Sequence, residues 1–209
     1  MRIAIVGAGN VGTTLGAGWA ATGHQIVYGV RDPTDAGVGR RVASTGAAAR
    51  TATVAEAVAP SEVVLVATPW TATQEALAGA GSLANKIVLD CTNPLKPDLS
   101  GLSVGLTTSG AEQVAAWAPG ARVVKIFNTT GFNNMANPRY PEGAATMFYC
   151  GDDAGAKQVA AALASDLGFD PVDAGALSSA RLLEPLAMLW ISLAIRSEGR
   201  EIAFRLLRR

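Results

Sequence analysis

Met1-Arg2-Ile3-Ala4-Ile5-Val6-Gly7-Ala8-Gly9-Asn10-Val11-Gly12 opens the chain, and its reading decides the fold. Arg2 to Val6 is a short apolar run that reads as a strand and leads straight into the glycines. A small-residue helix follows to about Ala21, then a turn at Gly23 and a second strand from Gln25 to Val30. Strand, G-x-G-x-x-G, helix, strand is the dinucleotide-binding fingerprint. Gly7 permits the tight turn, Gly9 lets the backbone approach a pyrophosphate, and Gly12 lets the helix lie close on the sheet. The helix N-terminus offers unpaired N–H groups and a partial positive charge to phosphates. Gly7, Gly9, Asn10, Val11 and Gly12 are therefore candidate cofactor-binding residues. The competing reading is a purely structural turn.

The end of the second strand bears on which dinucleotide is expected. An acidic residue there suits the ribose 2′-OH of NAD, whereas an arginine suits the 2′-phosphate of NADP. Val30 is not acidic and Arg31 follows at once, with Arg40 and Arg41 placed to assist. The expectation is NADP. Asp32 could approach a ribose hydroxyl or cap the next helix.

Further along, strands and helices alternate. Strands are expected at Arg50–Thr53, Val63–Ala67, Lys86–Asp90 and Arg122–Phe127, with helices at 34–49, 54–59, 71–80 and 111–118. Asn133–Gly143 reads as a polar loop, Thr146–Cys150 and Asp170–Asp173 as strands, and Ala154–Leu167 as a helix. The fold class is α/β: a doubly wound, Rossmann-type parallel sheet with a small C-terminal helical segment. The expected division is 1–175 for the dinucleotide-binding domain and 176–209 for the helical segment. Such sheets bind ligands at the carboxyl ends of their strands. That groups Thr68-Pro69-Trp70, Cys91-Thr92-Asn93-Pro94 and Asn128-Thr129-Thr130-Gly131 around the glycine loop.

From Leu177 onward one long helix is expected to the C-terminus, with Ser178 or Ser179 as N-cap and Pro185 as a kink. Leu182 to Ile195 is apolar nearly all round, so a buried helix is expected, covered by its own domain or by a second copy in a homodimer. The run within Leu186–Ile195 is short of the roughly 20 residues of a membrane span.

Composition narrows the class. With 49% hydrophobic and 16% charged residues the chain is globular, and its 17 basic residues balance its 17 acidic ones. That balance argues against a nucleic-acid footprint or a polybasic membrane surface. Cys91 and Cys150 lack metal-ligand spacing, and the chain opens directly on a strand, so a cytoplasmic setting with reduced thiols is expected. They read as packed small hydrophobes. No metal site is expected. The single histidine, His24, falls at the end of the sheet away from the glycine loop.

Several motifs together resemble one family. These are Gly7 to Gly12 with Arg31, Thr68-Pro69-Trp70, Lys125-Ile126-Phe127-Asn128-Thr129, Cys150-Gly151-Asp152-Asp153, and Leu177-Ser178-Ser179-Ala180-Arg181-Leu182-Leu183-Glu184. They look like the NADPH-dependent reductases of the deazaflavin coenzyme F420, a group that includes the reductase domain of the STEAP metalloreductases. Asn93-Pro94 and Gly131-Phe132-Asn133-Asn134 resemble the bacterial subgroup and depart from the archaeal enzymes in loops expected to line a second-ligand site.

The resemblance implies hydride transfer between NADP(H) and a flavin-like small-molecule partner, without a catalytic acid or base. Thr68, Pro69, Trp70, Asn93, Pro94, Asn128 and Thr129 join the candidate cofactor-binding set. Trp70 either walls the pocket or packs a helix start. Asn93 contacts the dinucleotide or holds its own loop. Asn128 and Thr129 offer donors to a reduced ring or cap a turn. Arg181 either reaches an anionic ligand or pairs with Glu184. The alternatives are another acceptor (a flavin, a metal chelate or an imine) or a non-catalytic NADP sensor.

Overall fold

A computed structural model describes residues 1–46 and 48–209, apart from the side chain of Ser197. Six strands run parallel: β1 (Arg2–Val6), β2 (Gln25–Val30), β3 (Arg50–Thr53), β4 (Val63–Val66), β5 (Ile87–Asp90) and β6 (Arg122–Lys125). A small hairpin, β7 (Arg139–Tyr140) and β8 (Gly143–Ala144), stands apart. Then β9 (Thr146–Gly151) joins β6 antiparallel, and β10 (Asp170–Asp173) extends the sheet parallel to β9. The order is β3-β2-β1-β4-β5-β6-β9-β10, so the strand order reverses between β1 and β4. That reversal is where a doubly wound sheet opens a crevice.

The helices are α1 (Asn10–Ala21), α2 (Ala36–Ala43), α3 (Val54–Val58), α4 (Trp70–Ala78), α5 (Gly110–Trp117), α6 (Phe132–Ala136), α7 (Ala154–Asp166) and α8 (Ala180–Leu193). Alternation along the strands feeds two cores. Ile3 and Ile5 of β1 meet Leu15, Trp19 and Leu163 on one face. Ala4 and Val6 meet Val64, Val114 and Leu183 on the other. Side chains that alternate between two covered faces explain why the central strands read as unbroken apolar runs.

Several expected bounds shift for local reasons. The strand expected to reach Phe127 stops at Lys125, because Phe127 adopts a φ of 64° and turns the chain. The helix expected over 34–49 shrinks to α2, whose N-cap is Asp35, accepting from the Val38 N–H at 2.8 Å. Ala47, within that expected helix, lies outside the described residues. The expected loop after Asn128 contains α6 and the hairpin.

The C-terminal helix is shorter than expected. A 3-10 turn (Leu177–Ser179) precedes α8, a π turn (Ala194–Glu198) follows it, and Gly199 at φ 67° ends the run. No serine side chain caps this helix; instead Asp152 accepts from the Leu177 N–H at 2.9 Å. Residues 200–209 turn back, and the Thr146 N–H donates to the Phe204 carbonyl at 2.9 Å. Nor is the helix covered all round: Leu182 is 72% exposed, Leu189 50% and Ile195 65%. Counted with its irregular ends, Leu177–Arg196 has 20 residues at a mean hydropathy of 1.2, so length alone does not separate it from a membrane span. What ties it to the sheet is an ion cluster.

Lys125, at the end of β6, is 0% exposed. Its ammonium lies 2.9 Å from Asp90 of β5 and 2.9 Å from Glu184 of α8, and donates to the Thr92 carbonyl at 2.6 Å. Glu184 also accepts the N–H groups of Gly110 and Ala111 at the start of α5. Asp90 accepts the N–H and hydroxyl of Thr92. Burial disfavours the charged lysine, but the two carboxylates outweigh it and hold the ammonium above its ordinary value. A raised lysine stabilises the fold below its ordinary value of about 10.4, and that contribution fades as pH climbs through the higher folded value. Lys125→Met leaves two buried carboxylates unpaired and should cost about 3–5 kcal/mol in urea denaturation at pH 7. A loss under about 1 kcal/mol would mean that the cluster does not hold the helix.

Candidate functional site

The three fingerprint glycines differ in their surroundings. Gly7 has φ +105°, and a Cβ there would sit 2.6 Å from the Ala67 carbonyl oxygen. A Cβ on Gly12 would strike the Gly7 carbonyl and lie 3.0 Å from Ile5. Gly9, the N-cap of α1, has an ordinary φ of −81°, and a Cβ would meet nothing within 4 Å. The fold itself makes no demand for glycine at that position. No side chain caps α1, and its first turn holds no acidic residue. Its amide end and dipole therefore face open space beside Gly9, Asn10 and Val11.

Arg31 is exposed at the end of β2. Arg41 of α2 reaches back over the glycine loop and donates to the Ala8 carbonyl at 2.9 Å. Asp32 is engaged locally: one carboxylate oxygen accepts the N–H and the hydroxyl of Thr34 at 2.9 and 2.6 Å, and these bonds hold its carboxyl below the usual range. It does not cap α2, which is the task of Asp35.

Across the strand ends lies a cleft of about 440 Å³ whose lining includes Val11, Thr68, Pro69, Trp70, Cys91 and Asn93. It brings one fingerprint residue together with the ends of β4 and β5. Trp70 lines this cleft, and its ring also packs on Trp117 at 5.3 Å. Thr68 shares a 2.9 Å hydroxyl bond with Thr73. Pro94 is buried against the start of α5 and does not line this cleft.

Asn93 and Asn128 are joined reciprocally. The Asn93 amide donates to the Asn128 carbonyl at 2.9 Å, and the Asn128 amide donates to Asn93 Oδ1 at 3.1 Å. The second N–H of Asn128 goes to the Leu183 carbonyl at 3.1 Å. Both donors of Asn128 are thus spent, which corrects the expectation that its side chain donates to a ligand. A flipped amide would set its oxygen against the Leu183 carbonyl, so the orientation is fixed. What remains is Oδ1, a buried acceptor with no partner among the described residues. Thr129 is buried at 3% exposure.

Other candidates resolve plainly. Arg181 takes neither expected role; it holds Glu112 of α5 through two hydrogen bonds, and Glu184 goes to Lys125. Cys91 donates to the Val66 carbonyl, and burial drives its thiol far above the cysteine range. Burial pushes Cys150 up to about 12. Neither is a thiolate at neutral pH. His24 pairs with Asp166 at 3.0 Å beside the N-terminal amine. Among the described residues no group of three or more His, Cys, Asp or Glu could hold a metal.

The model of the family "NADP oxidoreductase coenzyme F420-dependent" matches residues 2–94. A crystal structure of a protein from Arthrobacter sp. FB24, reported as a candidate F420-dependent NADP reductase, superposes with a TM-score of 0.91 at 33% identity, covering 100% of both chains. The chain belongs to the F420-dependent NADP oxidoreductase family. The F420-dependent NADP reductase of Methanothermobacter thermautotrophicus is 27% identical over 99% of this chain and 94% of its own length. The metalloreductase STEAP3 of Rattus norvegicus is 31% identical over 90% of this chain, which spans 37% of that protein's length.

The glycines give a direct test of the local geometry. Gly12→Ala should cost about 2 kcal/mol or more in thermal or urea unfolding, in the range of core overpacking. Gly9→Ala should stay within about 1 kcal/mol of the parent, the range of an N-cap change. Equal losses at both would show that Gly9 is also a packing glycine.

Proposed function

We propose that the protein transfers a hydride between NADP(H) and a deazaflavin of the coenzyme F420 type. The observation that carries this reading is the shared cleft, in which Val11 of the dinucleotide loop and Trp70, Cys91 and Asn93 of the neighbouring strand ends line one space. A site for hydride transfer needs two ligands side by side in a water-poor space, and little else from the protein. The residues fit the dinucleotide: the uncapped end of α1 and the room above Gly9 suit a diphosphate. Arg31 and Arg41 suit the 2′-phosphate.

When bound, the nicotinamide and the deazaflavin ring supply the redox chemistry themselves. The chain's part is to hold and to shield. Trp70 and the neutral Cys91 thiol keep one wall free of charge. The Asn93–Asn128 pair locks the ends of β5 and β6 together, and Asn128 Oδ1 offers an acceptor to a ligand N–H once the cleft adjusts to its occupant. The nearest buried charges, Asp90, Lys125 and Glu184, are committed to one another, which favours hydride transfer over acid–base catalysis.

In this reading residues 176–209 complete the second-ligand side and provide a dimer interface. The exposed stripe of Leu182, Pro185 and Leu189 recurs at helical spacing and suits a second copy of the helix. A cytoplasmic setting suits the two unpaired thiols.

Arg31→Ala should weaken NADPH binding about tenfold or more, leaving NADH within about twofold, as read by cofactor fluorescence. Equal loss of both would remove Arg31 as the phosphate reader. Stopped-flow absorbance with NADPH and oxidised deazaflavin should show turnover. Inactivity with the deazaflavin but turnover of a free flavin, ferric chelate or cyclic imine would replace the acceptor. Leu182→Glu with Leu189→Glu should convert a dimer to a monomer in sedimentation velocity; a parent that is already monomeric would refute the interface.

A further inference from the structure

The strand-end cleft has a second wall. Leu95, Lys96, Pro97 and Leu99 line it together with Trp70 and Asn93. They belong to a hairpin that leaves β5 and is closed by an antiparallel bridge between Leu95 and Leu102. The Ser103 N–H donates to the Pro94 carbonyl at 2.7 Å, and the Lys96 N–H donates to the Gly101 carbonyl at 2.9 Å. The Leu99 N–H donates to the Lys96 carbonyl at 3.0 Å. Lys96 is therefore fixed through both of its backbone polar groups, at the first position of a turn with Pro97 at the second. Its ammonium is a compact charge on a flexible stem, so it sweeps the space around a fixed point.

Two properties of this wall point to an occupant. Among the described residues that line the cleft, Lys96 alone carries a charge. It is exposed, and no ion pair engages it among the described residues. Asp98, the nearest acid along the chain, feels its field but is held by the Ser100 N–H at 3.0 Å. Leu99 is 43% exposed and adopts φ 57°, a conformation that costs a leucine energy. Interior packing gains little from it there, whereas an apolar ring in the cleft would cover it. One cation beside apolar side chains and an indole is the chemistry that takes a flat, apolar ring bearing one acidic substituent.

The dinucleotide brings anions of its own, but other groups are set for them. Its diphosphate suits the uncapped end of α1, and Arg31 and Arg41 follow β2. Lys96 follows β5, which β4 separates from β1 in the sheet. We propose that Lys96 is a specificity-determining residue for the second ligand: it pairs with a single phosphate or carboxylate carried by the ring that lies in the cleft. This rests on the two-ligand reading above and adds the charge of the acceptor to it. An exposed lysine pair is worth little in water, so the effect is a preference among acceptors and not the bulk of their affinity.

The test compares matched acceptors that differ by one phosphate: deazariboflavin and its phosphate ester, then riboflavin and FMN. Dissociation constants are read from ring fluorescence with the full chain saturated with NADP+, so no turnover is needed. The parent should bind each phosphorylated ring about fivefold tighter than its neutral counterpart at low salt, and the preference should shrink at about 0.5 M salt. Lys96→Met should abolish the preference by weakening the phosphorylated rings alone, and Lys96→Arg should retain it. The Kd for NADPH should stay within about twofold in both variants. A parent with no preference, or a Lys96→Met protein that keeps it, overturns the proposal. So does an NADPH affinity that falls while the preference stays, which would hand the lysine to the diphosphate. If the flavin pair shows the preference and the deazaflavin pair does not bind, the deazaflavin reading falls and Lys96 keeps its role. If no ring binds beside NADP+, both fall.

Discussion

Lys125 carries its charge where no solvent reaches, and three parts of the chain converge on it. A buried ammonium is costly unless partners replace its hydration. Asp90 and Glu184 supply opposite charge, and the Thr92 carbonyl supplies a third acceptor. Each carboxylate is in turn satisfied by N–H or O–H groups of the next element. The result fixes β5, β6, α5 and α8 relative to one another at the carboxyl end of the sheet. Asn93 and Asn128 lie only three residues beyond Asp90 and Lys125, so their reciprocal bonds inherit that register. The cleft is placed by the ion cluster beneath it more than by the loops that line it.

A second constraint lies directly after the cluster. Phe127 adopts φ 64°, a conformation that costs a bulky L-residue energy. It persists because the ring is fully buried, edge-on to Trp19 at 5.6 Å and tilted against Phe169 at 6.3 Å. The aromatic packing offsets the strain, and the strain redirects the chain so that Asn128 bonds to α8 instead of extending the strand. Backbone strain held by surrounding packing is a recurrent property of binding sites.

These two features mark the limit of what the sequence discloses. The glycine loop and the βα alternation follow from local spacing, so the fold class was readable, whereas the antiparallel joining of β9 to β6 was not. The position of Arg31 was readable, since it follows the last residue of β2 directly and is exposed there. The partners of Glu184 were not. Arg181 sits three residues away and makes a plausible helical pair, whereas Lys125 is distant in sequence and meets Glu184 only after the sheet forms. The end of the last helix was obscured because Leu186 to Ile195 is apolar but for Ser192, and no glycine or proline interrupts the chain from there until Gly199. The donors of Asn128 are spent within the protein, which its sequence position did not disclose, since which atoms of an amide are free depends on neighbours brought in by folding. Gly131 to Asn134 stood out as a motif, but its hydrogen-bond partners at 200–202 have no local signature.

The fingerprint itself divides along the same line. Gly7 and Gly12 are required by the protein's own backbone, and any chain with this turn would need them. Gly9 is not, because its dihedral is ordinary and its surroundings are open. Of the three, it is the glycine whose presence argues for a ligand. Two further features that follow the strands β2 and β6 share that character: the exposed Arg31 and the unsatisfied Oδ1 of Asn128. The interior demands neither, and a buried acceptor without a donor is a cost the fold would avoid if packing were its only concern. Residues that stability leaves unexplained, at the carboxyl side of the parallel strands, are what distinguish a binding site from a well-packed sheet edge.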